Sequence, residues 1–539
     1  MMNKMKEGVD VLKHVCPVCK DEVSENLGQH IKKVHGVNEF SKAVLKAKEK
    51  GMRDPEIGVL FNITFRELEK IITEVYGINI SVLKKPKKIK GWVPIDFKEA
   101  TTTVWSFKQR GNWATHDGRY RGNWSPYIPR NVILKYSQPG EVVLDYFVGG
   151  GTTAVEAKLL GRKCIARDIN PAAIGLTKEN LKFACYQKYP IYEPEVSVGD
   201  ATDLSDIANN SIDLICAHPP YAGIINYSSK VEGDLSKLDI DEFLRRMAKV
   251  AKRSYDVLKP GGKCAILIGD TRKKKHVIPI GFQTINVFLN AGFKLKELVI
   301  KRQHNCKTTG FWYAKSIKYN FLLLAHEYLP IFEKPKSSVV SSLKERAGDY
   351  KMVVPALEKP LLKRKLDELE TTTVWILPEK DFEERLNKNV IDRYSERKGY
   401  SIISFICYSN NETKFIEETK NRGKRLLFIK SAFLANNPSQ SKVEFYLKKI
   451  KEIINWDLPK ITKGGFIVIQ TQDVRIDGYV EPLAKRFVDS ICPDSLWLKE
   501  IVVITQEGQN SYTDTTEKRL KITHQYLLVY EKKDRSEYV

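Results

Sequence analysis

The chain has 539 residues, too many for one hydrophobic core, and this length predicts roughly three or four domains. Hydrophobic residues make up 42% and charged residues 29%, a balance that excludes wholesale disorder. The 89 Lys and Arg residues exceed the 66 Asp and Glu residues and give a net charge of +23, so nucleic acid is the expected partner and an anionic membrane surface the competing one.

The chain is expected to be cytoplasmic and to contact no membrane. Its first residues, MMNKMKEGVDVLKH, lack the apolar core of a signal peptide, and no stretch approaches the ~18 apolar residues of a membrane-spanning helix. Of the nine cysteines, Cys16 and Cys19 form the one close pair, which argues against a disulfide framework and for a reducing compartment.

Residues 16 to 35 have the spacing of a zinc site. The pattern C-x2-C-x10-H-x4-H places two thiolates on a turn and two imidazoles on one helical face, which suits tetrahedral Zn²⁺. The segment resembles a two-Cys, two-His zinc finger, predicted here as residues 1–40. The alternative is a chance coincidence of a Cys pair with surface histidines. The expected metal ligands are Cys16, Cys19, His30 and His35.

Residues 54–77 predict a helix, a turn at Asn62 and a second helix capped by Thr64. This pattern resembles a helix-turn-helix, and the resemblance implies that Phe65, Arg66 and Glu69 face the major groove. An ordinary helical hairpin is an equally good interpretation. With the basic linker KKPKKIKG (84–91), this segment makes a predicted second module, residues 41–90.

Three successive strand ends predict a nucleoside pocket. The segment EVVLDYFVGGGTTAVEA reads as a strand, a triple-glycine turn and a helix. The next strand ends in Asp168, where a carboxylate can accept both ribose hydroxyls, and a third ends in Asp200, where an acidic side chain commonly receives an adenine amino group. A dinucleotide site would prefer G-x-G-x-x-G, which this turn does not supply.

The segment SIDLICAHPPYAGIINYSS suggests the chemistry, because an apolar strand runs into His218, Pro219, Pro220 and Tyr221. It resembles the catalytic segment of the cytosine-N4 and adenine-N6 amino-methyltransferases of DNA, in which Asp, Asn or Ser precedes Pro-Pro and an aromatic residue. The alternative interpretation of Pro-Pro-Tyr is a stiff loop without a catalytic role.

The resemblance implies a doubly wound, Rossmann-like α/β domain at residues 91–336 that binds S-adenosylmethionine and methylates an exocyclic amino group of a flipped base. Residue 218 and the Pro219 carbonyl would accept hydrogen bonds from that amino group, the prolines would hold a rigid bend, and Tyr221 would stack on the base. The implied cofactor-binding residues are Asp145, Phe147, Gly149, Gly150, Gly151, Thr152, Thr153, Asp168, Asn170, Asp200 and Ala201.

Two positions depart from the family pattern. Tyr146 stands where the family usually has Pro, which is expected to reshape the glycine turn. His218 replaces Asp, Asn or Ser and can accept a hydrogen bond only while its ring is neutral. A non-acidic residue there favours cytosine N4 slightly over adenine N6.

Two segments flank the pocket motifs. The aromatic-rich segment 101–141 is expected to close over the cofactor. Downstream, Lys273, Lys274, Lys275 and His276 are either phosphate contacts or a solvated charge run.

The last third of the chain repeats this domain. TTTVW recurs at 101–105 and 371–375, and further pairs follow in the same order, among them GGKCAILIGDTR (261–272) with GGFIVIQTQDVR (464–475). Ser409-Asn410-Asn411 replaces the glycine turn, Lys430 aligns with Asp168, and Pro-Pro-Tyr is missing. Residues 337–539 are therefore predicted to be a degenerate, noncatalytic copy that serves as a pseudo-dimer partner, a DNA-binding surface or a buttress.

The sequence thus favours a DNA methyltransferase of the restriction-modification kind, acting on double-stranded DNA at the prokaryotic nucleoid alongside a cognate restriction endonuclease. The alternatives are an RNA base methyltransferase and a noncatalytic DNA-binding regulator with the same fold.

Overall fold

The computed structural model describes residues 14–23, 26–50, 52, 54–64, 67–68, 71, 89, 91–95, 97–116, 122–184, 189–221, 233–304, 307–336, 369–395, 399–407, 413–420, 424–432, 438–491, 495–508 and 519–533. These residues form a small amino-terminal unit and two α/β modules. No helix among them is both long and apolar enough to cross a membrane.

The amino-terminal unit consists of strands β1 (His14–Val15) and β2 (Glu22–Val23) and helices α1 (Leu27–Val34), α2 (Gly36–Glu49) and α3 (Asp54–Phe61). The predicted boundary between residues 40 and 41 is wrong, because α2 crosses it and one core joins Cys16 to Ile57. Gly28 is required there, since a Cβ atom at this position would lie 2.0 Å from the Phe61 carbonyl oxygen.

The start of the predicted second helix is confirmed at its cap. Asn62 makes the turn with φ of 48°, and the Thr64 hydroxyl accepts from the Glu67 amide at 3.1 Å. The Glu67 carboxylate accepts from the Thr64 amide at 2.8 Å, which completes a capping box. Phe65, Arg66, Glu69 and most of the linker 84–91 lie outside the described residues.

The first module is a doubly wound α/β fold, as predicted. Its sheet has the order β3-β11-β12-β8-β7-β4-β5-β6, and β12 runs antiparallel to both of its neighbours. The strands are β3 (Val104–Ser106), β4 (Val142–Asp145), β5 (Lys163–Asp168), β6 (Glu195–Val198), β7 (Ile212–Ala217), β8 (Leu258–Ile266), β11 (Lys294–Arg302) and β12 (His326–Glu333). The helices are α4 (Tyr127–Tyr136), α5 (Thr152–Leu159), α6 (Pro171–Asn180), α7 (Ile240–Val257), α8 (Ile280–Asn290) and α9 (Lys307–Tyr319).

Both faces of this sheet are buried, which explains why its strands are continuous apolar runs. Successive residues of a strand point to opposite faces, so Val143 and Leu144 enter different cores. The carboxyl ends of β4, β5, β6 and β7 consequently meet at one edge, where the predicted pocket residues lie.

The second module repeats this sheet in the order β13-β20-β21-β17-β16-β14-β15. Its strands are β13 (Val374–Leu377), β14 (Tyr400–Cys407), β15 (Thr413–Lys420), β16 (Lys424–Ala432), β17 (Ile461–Thr471), β20 (Leu496–Gln506) and β21 (His524–Lys532). Its helices are α10 (Phe382–Tyr394), α11 (Gln440–Asp457) and α12 (Leu483–Ser490).

The two modules differ where the cofactor would bind. In the first, β5 runs parallel to β4 and is reached through α5, whereas in the second β15 runs antiparallel to β14. Residues 408–412, between β14 and β15, are too few for a crossover helix. They include Ser409, Asn410 and Asn411, which lie outside the described residues.

The predicted alignment of Lys430 with Asp168 is wrong. Ala217 pairs with Ile266 in the first sheet, and Ile429 pairs with Ile469 in the second. Ile266 and Ile469 are equivalent in the repeated segments, so the residue after Ile429 corresponds to the residue after Ala217. Lys430 therefore occupies the position of His218.

Arginines cross between the modules in a reciprocal pattern. Arg272 of the first module pairs with the buried Glu500 of the second, and Arg475 of the second pairs with the buried Glu297 of the first. The same two arginines donate to backbone carbonyls at equivalent positions, Arg272 to Lys499 and Arg475 to Lys296.

The repeated TTTVW segments also make reciprocal contacts between the two modules. Thr103 hydrogen-bonds His524 at 2.8 Å, and Thr373 hydrogen-bonds His326 at 2.9 Å. Because each contact has an equivalent with the modules exchanged, the two copies meet as the subunits of a two-fold dimer do.

Two hairpins, β9–β10 (Thr271–Lys273 and His276–Ile278) and β18–β19 (Val474–Ile476 and Tyr479–Glu481), extend onto the opposite module. His276, predicted as a possible phosphate contact, is buried, and its Nε2 lies 3.1 Å from Glu531. The Lys275 ammonium lies over the Tyr319 ring at 4.3 Å. The assignment of His276 to phosphate is therefore wrong, because its side chain belongs to the interface between modules.

Candidate active site

A cleft opens at the carboxyl edge of the first sheet. Predicted residues on its wall are Phe147, Gly149, Asp168, Asn170, Asp200, Ala201, His218 and Pro220. The wall also contains Gly122, Asn123 and Trp124 from the segment predicted to close over the cofactor, and residues that sequence reasoning missed, namely Tyr146, Val148, Ile169, Gly233, Asp234 and Leu235.

The glycine turn needs its glycines for conformation and for space. Gly149 and Gly151 have φ values of 52° and 86°, in the left-handed region. A Cβ atom on Gly150 would lie 2.4 Å from Nδ2 of Asn123, whose Oδ1 accepts from the Gly150 amide at 3.1 Å. The glycine turn therefore contacts the aromatic-rich segment 101–141 directly, and this segment is called the closing segment below.

Several predicted cofactor residues lie behind this turn. Thr152 and Thr153 are buried in the first turn of α5, and Asp145 is buried beneath the turn, where it accepts from the Phe147 amide at 2.9 Å. Burial raises the pKa of Asp145 to about 7. Tyr146, the departure from the family pattern, lies with its hydroxyl 2.9 Å from the Ser254 hydroxyl on α7.

Acidic side chains from separate segments surround the cleft. Asp168 accepts from the amides of Gly149 and Asn170, each at 2.9 Å, and burial raises its pKa to about 6. Asp200 follows β6, and Asp234 begins a 3₁₀ turn (Leu235–Lys237) that folds back over the same wall. Asp234 follows residues 222–232, which have no strand signal in the sequence, so its position was not predictable.

The closing segment is fixed by one buried carboxylate. Glu156 on α5 accepts from Trp113 Nε1 at 2.7 Å, from His116 Nε2 at 2.6 Å and from Arg130 Nη1 at 2.8 Å. The segment is thus anchored to the helix that follows the glycine turn, and Trp124 from the same segment reaches the cleft wall.

His218 and Pro220 bring the segment that follows β7 onto the same wall. The Trp124 ring stacks on the His218 ring at 5.6 Å between centroids. Burial lowers the pKa of His218 to about 4, so the ring is neutral at pH 7 and satisfies the condition for accepting a hydrogen bond.

The hydroxyl of Tyr221 is held by hydrogen bonds to neighbouring side chains. Its hydroxyl lies 3.0 Å from His218 Nε2 and donates to Glu327 Oε1 at 2.6 Å, while Lys301 donates to Glu327 Oε2 at 2.7 Å. Sequence reasoning missed Glu327 and Lys301. The repeat contained a signal, because Gln525 and Ile504 stand at these positions in the second copy.

The four predicted metal ligands come together in the amino-terminal unit. The candidate ligand atoms of Cys16, Cys19, His30 and His35 all lie within 4.8 Å of one another. Cys19 Sγ lies 3.5 Å from His30 Nε2, and Cys16 Sγ lies 3.7 Å from His35 Nε2. Two thiolates and two imidazoles in this arrangement are a donor set that suits tetrahedral Zn²⁺.

The residues of the cleft also fit an S-adenosyl nucleoside. Asp168 and Asp200 offer acceptors for hydroxyl and amino hydrogens, Gly149 brings the backbone close, and Phe147 supplies an apolar wall. The doubly wound sheet with a cleft at its carboxyl edge is the fold that the sequence predicts for an S-adenosylmethionine-dependent methyltransferase.

Comparison with protein families gives the same class. Residues 69–179 and 212–415, together more than half of the chain, match the family described as DNA methylase, and the chain belongs to this family. Residues 140–262 also match the family described as RNA cap guanine-N2 methyltransferase.

Curated relatives match a smaller part. A tRNA (guanine(10)-N2)-dimethyltransferase of Methanothermobacter thermautotrophicus is 35% identical over 126 residues, which cover 23% of this chain and 34% of the relative. The type II methyltransferase M.MthZI of the same species is 29% identical over 154 residues, or 25% of this chain and 43% of the relative. The chain thus spans less than half the length of each of these relatives.

Proposed function

We propose that this protein transfers a methyl group from S-adenosylmethionine to an exocyclic amino group of a flipped base in double-stranded DNA, with cytosine N4 slightly favoured over adenine N6. One observation supports this above the others: His218 and Pro220 line the same cleft as Gly149, Asp168 and Asp200. An amino-group acceptor and a nucleoside site therefore share one wall.

The cofactor supplies an electrophilic methyl group on a sulfonium. In the proposed site, Asp168 accepts the ribose hydroxyls and Asp200 the adenine amino group. His218 and the Pro219 carbonyl accept the hydrogens of the target amino group, which localises the nitrogen lone pair that must attack. Pro220 keeps the bend rigid, and Tyr221 offers its ring to the base.

The amino-terminal unit and the second module are proposed to bind the duplex. A zinc ion held by Cys16, Cys19, His30 and His35 would stabilise the unit, as in other small metal-dependent folds. The charge of +23 favours phosphate contacts. A DNA substrate would place the protein in the cytoplasm on the nucleoid, with a restriction endonuclease as its companion.

The test is transfer of labelled methyl groups to unmethylated genomic DNA, followed by digestion and mass analysis of the nucleosides. N4-methylcytosine or N6-methyladenine is expected from the wild type and not from Asp168→Ala. Cofactor binding without transfer to any nucleic acid would favour a noncatalytic regulator and contradict the proposal.

An RNA base is the second candidate substrate, because residues 140–262 match the family described as RNA cap guanine-N2 methyltransferase and one curated relative is a tRNA (guanine(10)-N2)-dimethyltransferase. Total RNA in the same assay distinguishes the two. Label that enters RNA as N2-methylguanine and leaves DNA unlabelled would replace the DNA proposal with this one.

A further inference from the structure

A continuous polar chain leads from the cleft wall into the first sheet. It runs from His218 through the Tyr221 hydroxyl to Glu327 on β12, and Lys301 on the neighbouring strand β11 closes it. Glu327 is 6% exposed, so these neighbours rather than water satisfy its carboxylate. We call His218, Tyr221, Glu327 and Lys301 the polar chain.

The positions of the protons in this chain follow from the donors available. Burial alone would raise the pKa of Glu327, but Lys301 and the other neighbours lower it to about 2, so the carboxylate is ionised and can only accept. The single Tyr221 proton is therefore donated to Glu327. The Tyr221 oxygen must then accept from His218, which places the ring proton on Nε2.

A neutral ring with its proton on Nε2 leaves Nδ1 as the nitrogen that can take a proton. Burial, Lys301 and Arg110 favour the neutral ring, whereas Glu327 and a backbone hydrogen bond to Gly122 favour the protonated one. The resting ring is thus neutral, but a negative charge two hydrogen bonds away is ready to stabilise it once it is protonated.

The second copy supplies an internal control. There Gln525, Ile504 and Lys430 stand at the positions of Glu327, Lys301 and His218. The histidine before this position, which contacts the opposite module, is the same in both copies. His524 and His326 each lie 3.0 Å from the tyrosine hydroxyl two residues further on. The strand and the interface therefore form without a glutamate at this position.

We infer that Glu327, supported by Lys301, is a positioning residue for methyl transfer that acts through Tyr221 to hold the proton of His218 on Nε2. The inference rests on the proposed function. As the amino nitrogen forms its bond to the methyl carbon, the electron pair of the carbon–sulfur bond stays on sulfur. The amino proton passes to His218 Nδ1 and then to solvent.

The test compares Glu327→Gln with Glu333→Gln in the full-length protein. Glu333 is a matched control on the same strand, because it also accepts from a tyrosine hydroxyl, that of Tyr479 at 2.6 Å, and pairs with a lysine. We expect Glu327→Gln to lower kcat about 10²-fold with an unchanged cofactor Kd, and Glu333→Gln to leave both unchanged. Tyr221→Phe should lower kcat similarly, and the double variant Tyr221→Phe/Glu327→Gln should lose no more than either single variant.

A second readout does not depend on turnover. Nitrogen-15 NMR of histidine-labelled protein, assigned with His218→Gln, should show the Nε2–H tautomer in the wild type and its loss in Glu327→Gln. An unchanged tautomer, an unchanged kcat or strictly additive losses would overturn the inference. Wild-type protein that transfers no methyl group to DNA would instead overturn the proposed function, and the NMR experiment would still decide the role of Glu327.

Discussion

Arg475 of the second module forms an ion pair with Glu297 of the first, and the side chain of Glu297 is fully buried. The equivalent pair of Arg272 and Glu500 crosses in the opposite direction. The interface between modules therefore contains the same buried pair twice, which is the arrangement of a symmetric dimer within one polypeptide.

Arg475→Met should destabilise the protein strongly, because it leaves the Glu297 carboxylate buried without its partner. The expected loss is about 3 to 5 kcal/mol in the free energy of unfolding. Thermal and urea denaturation measure it. Arg385→Met is the matched control, since Arg385 pairs with Asp381 on an exposed helix face, and its loss should stay below about 1 kcal/mol. Equal effects of the two substitutions would contradict the importance of the buried pair.

Cofactor affinity should depend on pH through Asp168. Burial raises the pKa of this carboxyl to about 6, so it is ionised and accepts hydrogen bonds above that pH and becomes protonated below it. The KM for S-adenosylmethionine should therefore rise as the pH falls, by about tenfold between pH 7 and pH 5.

Asp168→Asn should raise that KM at every pH and remove its pH dependence. Asp203→Asn, which changes an exposed carboxylate, should leave the profile as in the wild type. A pH-dependent KM that persists in Asp168→Asn would assign the titration to another group.

Substitutions at His218 should separate hydrogen-bond acceptance from size. His218→Leu removes the acceptor and should lower kcat by about 10² to 10³-fold. His218→Asn restores a carbonyl acceptor but cannot take the amino proton, so it should recover only part of this loss. Cofactor Kd is expected to be unchanged in both. If Leu and Asn behave alike, His218 does not act as an acceptor.

Removing a zinc ligand should unfold the amino-terminal unit and leave the cleft intact. Cys16 lies in the core of this unit, so Cys16→Ser should abolish metal binding and lower helical content. Metal analysis and circular dichroism test this. Cys164→Ser, which changes a buried cysteine of the first sheet, should retain the metal. Zinc retained by Cys16→Ser would reject the ligand assignment.

Much of the first module could be predicted from sequence, because its strands are apolar runs that end in recognisable residues. Asp168 ends its strand, and Asp200 and His218 follow theirs within two residues, so a parallel sheet necessarily brings them to one edge. Asp234 and Glu327 could not be placed in this way. The first lies after a segment without periodicity, and the second is the second residue of a strand and reaches the site through Tyr221.

The relation between the repeats was predictable only in part. Matching segments identified the duplication. The alignment of Lys430 with Asp168, however, assumed that the strand after β14 in the chain still ran parallel to β14, whereas that strand, β15, is antiparallel. In the second module a hairpin stands in place of the crossover from β4 to β5. As a result, β16 corresponds to β7 and not to β5. Strand direction depends on the connection, and the short connection between β14 and β15 is the feature that the alignment overlooked.

The approximate two-fold relation has a consequence for how DNA would be treated. A symmetric dimer with two clefts reads both strands of a palindromic site alike. Here the two halves differ, and Lys430 occupies the place of His218 in one of them. On a DNA substrate, each encounter would have a defined polarity and would deliver one strand to the cleft. Modification of both strands of a palindromic site would therefore take two separate encounters in opposite orientations, one for each strand.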